Sequence, residues 1–182
     1  MHSDEAYSAV INRILSGGAD FAEIFLEERY TGSINMVQGE VEGSVSGKLF
    51  GAGLRAFKGT RSIYAYTNEL SLDGLMKVAE RLKAVISQDR VADSVIDFRN
   101  EEFVDVCPVL FSPNNVPKKE KVRVMQLAHE GASTFAATIS QVVVNFIEYD
   151  QNVWIYNSEG VKAQDRRVRT RLAISAVATK DG

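Results

Sequence analysis

Between Phe21 and Thr67 the chain consists largely of strand-forming residues, and glycine recurs through it at positions 32, 39, 43, 47, 51, 53 and 59. A helix there would lose about 1 kcal/mol at each glycine relative to alanine. A sheet can place glycines at turns, bulges and close approaches. The stretch therefore predicts an antiparallel meander in which "FAEIFLEERY", "GSINMVQGEVEGSVSG", "LFGAGLRAF" and "RSIYAYT" are strands. Lys58-Gly59 separates two of these runs as a hairpin turn would.

Helical patterns flank the meander. Ser3 is a capping residue for a helix with Asp4 and Glu5 in its first turn, Ala6, Val10 and Ile14 along its apolar side, and "SGG" at 16 to 18 as its stop. Ser71 caps a second, whose apolar face runs Leu72, Leu75, Met76, Ala79, Leu82 and Ile86. Residues 88–117 lose periodicity and hold Pro108, Pro113 and Pro117, which predicts a long connection with a short strand around Val95 to Phe98. A third helix follows in "KKEKVRVMQLAHEGASTF", with Val122, Met125, Ala128 or His129, and Ala132 inward, and then three strands: "TISQVVVNFIEY", "NVWIYNSEG" with a turn at Ser158 to Gly160, and "RRVRTRLAISAVA". The expected fold is α+β: antiparallel sheets packed with about three helices, in a helix-then-strands order repeated over lobes 1–87 and 118–182 on either side of the connection. Asp181-Gly182 reads as a hairpin turn with no return strand, as expected of an N-terminal fragment or a truncated relative of a longer protein.

The half-motif His129-Glu130 invites a metal reading. A zinc helix of the HExxH type needs a second histidine four residues on, where this chain has Ser133, and a five-residue spacing meets Thr134. The other histidine is His2, in a terminus expected to be loose, and the one cysteine is Cys107. His129 is therefore read as a structural residue beside the helix's buried stripe, and no catalytic, cofactor or metal residue is assigned. "GAGLRA" at 51 to 56 satisfies a dinucleotide fingerprint but runs into a hairpin instead of a helix. Cys107 precedes Pro108 in an irregular loop, so pairing with His129 as a nucleophile and base lacks an orienting group. Glu40/Glu42 and Glu101/Glu102 read as surface pairs. Arg167, Arg169 and Arg171 alternate along one strand and leave the same face, with Arg166 beside them. They are the candidate partner-binding residues, weighed against a plain solvated sheet face.

A net charge of -3 gives no electrostatic footprint for nucleic acid, which is not expected as a partner; DNA binding through the arginine strand would fall steeply with salt. No apolar run reaches the roughly 18 residues of a membrane span, and the N-terminus lacks a signal peptide's basic and apolar regions, so the expected location is cytoplasmic and no membrane partner is expected. One cysteine allows no internal disulfide framework.

The order "GADFAEIFLEE" after helix one, the "GAGLRAFKG" strand and turn, and "YAYTNELS" leading into helix two resembles the N-terminal domain of the TldD/PmbA family. The second half, with "VWIYNSEG" and "RRVRTRLAISAVA", is similar to the TldD-like branch. The resemblance implies a cytoplasmic zinc metallopeptidase system, also known as a modulator of DNA gyrase, whose metal is held by an HExxxH helix and a cysteine in a C-terminal domain absent here. It implies no cofactor in this chain, which alone is expected to be inactive, and zinc in the missing domain. The implied partners are a TldD/PmbA-type subunit, or a second copy in a homodimer, and an unfolded peptide that this domain helps to enclose. The alternative is a stand-alone protein-interaction module of the gyrase-modulator type without peptidase activity.

Overall fold

The computed structural model describes residues 2–86, 96–100 and 108–180. Helix α1 (Asp4–Leu15) begins at Ser3, whose hydroxyl accepts the Ala6 N–H at 3.4 Å. Asp4 and Glu5 complement the positive end of its dipole. Helix α2 (Leu72–Ile86) begins at Ser71, whose hydroxyl accepts the Gly74 N–H at 3.1 Å. Helix α3 (Lys118–Ser133) follows Pro117 and has no side-chain cap. The strands are β1 (Phe21–Val37), β2 (Glu40–Lys58), β3 (Arg61–Thr67), β4 (Arg99–Asn100), β5 (Ile139–Asn157) and β6 (Val161–Ala178). The chain is α+β, as the sequence predicts.

The strands are longer than their sequence fragments. Gly43, Gly47 and Gly51 lie inside β2, so that "GAGLRA" is strand interior, and β5 runs unbroken through "TISQVVVNFIEY" and on to Asn157. Pairing with a neighbour on the ladder offsets the modest cost of a glycine in a strand. The chain reverses at Gln38-Gly39, within what the sequence reading took as one strand; φ is 50° at Gln38 and 84° at Gly39, the left-handed pair that a two-residue hairpin turn requires. The Lys58-Gly59 hairpin forms as expected, with β3 antiparallel to β2 from Lys58↔Arg61 to Ala52↔Thr67. The short strand expected around Val95 to Phe98 does not form there: 96–98 are not strand, Val95 lies outside the described residues, and a two-residue strand, β4, follows at Arg99–Asn100, parallel to β6 at Val161 and Lys162.

Two compact units form. One comprises Met1–Glu28, Leu49–Val106 and Asn152–Asp165; the other Arg29–Lys48, Cys107–Gln151 and Arg166–Gly182. Each draws on both halves of the chain, because β1, β2, β5 and β6 contribute residues to both.

In the first unit the strand order is β3-β2-β1-β5-β6-β4. Its core joins Tyr7, Ile11 and Ile14 of α1, Ile24 of β1, Leu54 of β2, and Leu75 and Leu82 of α2, each at most 2% exposed. Each such side chain contributes roughly 1.5–3 kcal/mol by leaving water. Tyr7 and Tyr156 stack at 4.3 Å between centroids, and Phe98 meets Tyr156 edge-on at 5.3 Å. Burial pushes the Tyr156 phenol up to about 12. His2, expected in a loose terminus, is held there: a ring nitrogen lies 2.6 Å from the Leu70 carbonyl oxygen and the ring meets Tyr7 edge-on.

In the second unit the strand order is β2-β1-β5-β6, with α3 over one face. The apolar core is smaller: Ile34 and Met36 of β1, Met125 of α3, and Val142 and Val144 of β5, packed against Val122, Ala128, Ala132 and Phe146. Residues 41–50 of β2 are all exposed, and Val45 is 71% exposed. Because β3 pairs with β2 only from Ala52 onward, the outer edge of 40–47 has no partner strand among the described residues.

Candidate functional site

The second unit carries charge where its packing pattern calls for apolar side chains. Lys121 stands one helical turn before Met125 on the inward side of α3. Glu148 continues the inward alternation of Val142, Val144 and Phe146 along β5. Their side chains are 9% and 4% exposed, and Lys121 Nζ donates to Glu148 Oε1 at 2.5 Å. The ammonium also lies 5.9 Å from the centroid of the Phe146 ring. Glu148 Oε2 is buried with no hydrogen-bond partner among the described residues. A buried carboxylate oxygen with no protein donor keeps a free acceptor, and a buried ion pair is held at a desolvation cost. Gly32 makes room for it: a Cβ there would sit 2.7 Å from Glu148 Oε1.

Two clefts flank this pair. One, of about 260 Å³, lies between β2 and the start of α3, where Tyr30, Gly32, Val45, Asn114 and Lys118 surround the pair. The other, of about 400 Å³, is lined by Phe111, Val124, Phe146 and Val168 together with the pair. The segment before α3 is fixed by a second charged cluster. Arg166 donates Nε to Asp150 Oδ1 at 2.9 Å and its terminal nitrogen to Oδ2 at 2.6 Å, while the Ser112 hydroxyl donates to Oδ2 at 2.5 Å. The Arg166 hydrogen bonds, followed by that of Ser112, hold the Asp150 carboxyl below its ordinary range.

Arg167, Arg169 and Arg171 are exposed on β6, and the Arg169 guanidinium lies 5.9 Å from the centroid of the Tyr149 ring. Arg166, read from the sequence only as added charge beside them, is instead the buried carboxylate's partner. His129 is half-buried, with its imidazole 3.4 Å from where a Cβ on Gly39 would stand, so it packs over the hairpin turn. Ser133 and Thr134, which replace the second histidine of a zinc helix, donate their hydroxyls to the Glu130 carbonyl. Among the described residues no group of three His, Cys, Asp or Glu side chains could hold a metal ion. The residues around His129 do not fit zinc. Cys107, Glu101, Glu102 and the Asp181-Gly182 turn lie outside the described residues. No helix among the described residues is long and apolar enough to cross a membrane. The Lys121–Glu148 pair was not found in the sequence. Its signal was a charged residue at an inward position of both a helix and a strand.

Two family models match the chain in succession: the PmbA/TldA metallopeptidase domain 1 over residues 22–86 and the PmbA/TldA metallopeptidase central domain over 111–182. The chain belongs to the PmbA/TldD metallopeptidase family. A metalloprotease of Methanothermobacter thermautotrophicus is 26% identical over 181 residues, covering 98% of this chain and 38% of that protein. A metalloprotease TldD homolog of Haemophilus influenzae is 23% identical over 137 residues, 72% of this chain and 28% of that protein. The crystal structure of a Bacteroides thetaiotaomicron protein described as a candidate modulator of DNA gyrase shares the fold with a TM-score of 0.75 at 15% identity, over 100% of this chain and 43% of that one. The chain thus spans less than two-fifths of the length of either curated relative.

Proposed function

We propose that this chain is the N-terminal, non-catalytic portion of a TldD-like zinc metallopeptidase of the cytoplasm, which helps to enclose an unfolded peptide and to form the interface with a related subunit. The zinc and the bond-breaking residues belong to a C-terminal domain beyond this sequence. The observation that carries the peptide role is the exposed edge of β2 at residues 40–47 in the second unit, which has no partner strand among the described residues. An extended peptide can add there as a further strand, bonding through its main chain with little sequence preference. Exposed Val41 and Val45 give it apolar contacts, and the smaller cleft beside Val45 can receive a side chain. Arg167, Arg169 and Arg171 are assigned to subunit contact, as an exposed cationic stripe suited to an acidic partner surface.

Two measurements test this reading. Metal content by plasma mass spectrometry, with hydrolysis of casein peptides by the chain alone, is expected to show neither stoichiometric zinc nor cleavage; one zinc per chain with activity overturns the non-catalytic assignment. Amide NMR with an added extended peptide is expected to shift signals from 40–48, and unchanged signals there overturn the edge.

A further inference from the structure

The larger cleft combines features that the edge-strand reading leaves unused. Its walls are mostly apolar, from Phe111, Val124, Phe146 and Val168, and the buried Glu148 carboxylate forms part of its lining. One oxygen of that carboxylate holds Lys121, and the other lacks a hydrogen-bond partner among the described residues. That oxygen is buried in the structure, so an occupant reaches it as the cleft wall around Glu148 opens. The matching occupant has an apolar body and a single donor. A cation is disfavoured, because the Lys121 ammonium stands within 2.5 Å of the same group. An indole N–H or a phenol O–H fits: such rings bury a large apolar area and need one polar partner.

The surroundings favour an occupant that is part of a polypeptide. Apolar exposure continues beyond the cleft at Leu110, which is 89% exposed, and Leu127 at 57%. Leu127 follows Val124 by three residues on α3 and so extends the same helix face. A free aromatic molecule filling about 400 Å³ would leave that rim in water. A chain carrying the ring on an apolar stretch would cover it, as an anchor residue does at an interface.

We propose that this cleft takes a tryptophan or tyrosine side chain of an unfolded polypeptide, with the indole N–H or phenol O–H donated to Glu148. The proposal rests on the peptide reading above and adds a second contact to it, one that selects for unfolded chains because folded proteins keep these rings largely buried.

The test uses three acetylated and amidated pentapeptides, identical except for Trp, Phe or Ala at the centre, titrated into the ¹⁵N-labelled chain. The Trp peptide is expected to shift the amides of Val124, Phe146 and Val168 and to bind roughly tenfold tighter than the Phe peptide, which lacks the donor. Val168→Trp fills the cleft from β6 with Lys121 and Glu148 themselves unchanged, and is expected to abolish those shifts while leaving any shifts at 40–48 in place. Equal binding of the Trp and Phe peptides overturns the hydrogen bond to Glu148. Shifts confined to 40–48 for all three overturn the cleft site and leave the edge reading standing. If no peptide binds but N-acetyltryptophanamide still shifts the cleft amides, the polypeptide source is overturned.

Discussion

The two units bury different things. The first has an aliphatic and aromatic core supplied by two helices and the sheet, with Tyr156 in contact with both Tyr7 and Phe98. Among the described residues the second has one α-helix over its sheet, a cluster of five buried apolar residues, and a charged pair beside them. A core of the first kind gains from every methylene and offers a ligand nothing. The second kind is less stable for its size, since a buried pair returns less than an apolar replacement would. It does leave a directional acceptor beside open clefts. The binding role proposed above therefore falls to the second unit, with the first as its scaffold.

Mutations sharpen the contrast through their pattern of rescue. Glu148→Ala leaves the Lys121 ammonium buried and alone, and is expected to destabilise by about 3–5 kcal/mol. The double replacement Lys121→Met, Glu148→Met should recover most of that loss in urea unfolding. A double mutant no better than the single would show that the pair is worth more than its desolvation cost. Leu54→Ala in the first unit is expected to cost about 2–5 kcal/mol by leaving a cavity. No second polar-to-apolar change should restore it. Gly32→Ala pushes a Cβ against Glu148 Oε1, and a loss of about 1–3 kcal/mol is expected. If Gly32→Ala is neutral, the carboxylate has room that the geometry denies it.

The smallest effect concerns pH. Asp150 has a depressed pKa in the fold, so its contribution is present above its ordinary value of 3.8 and is lost as pH falls through the lower folded value. Asp150→Asn should be less stable than the parent at neutral pH. That difference should shrink on acidification below about pH 4. A constant difference across the acid limb would place the Asp150 effect in packing instead of charge.

Much of the fold was legible in the sequence because its signals are local. Ser3, Ser71 and Pro117 mark the helix starts, Lys58-Gly59 and Ser158 to Gly160 mark reversals, and apolar spacing marks the inward faces. The Gln38-Gly39 turn was hidden because several glycines compete for the role nearby, and only pairing decides which one reverses the chain. Continuous strands were cut into fragments at glycines for the same reason. The site was less legible. Lys121 and Glu148 are 27 residues apart on different elements, and each taken alone reads as a solvated charge. The Arg166–Asp150 contact likewise depends on which residues of β5 and β6 come together, which spacing within one strand does not give.

The most direct test of the division into scaffold and binding unit is hydrogen exchange, followed by mass spectrometry, in the presence of a reduced, unfolded protein. Slowed exchange is expected over 40–48 and 120–127, with 52–67 and 72–86 unchanged. Protection confined to 52–67 and 72–86 would put the binding in the first unit and contradict the division.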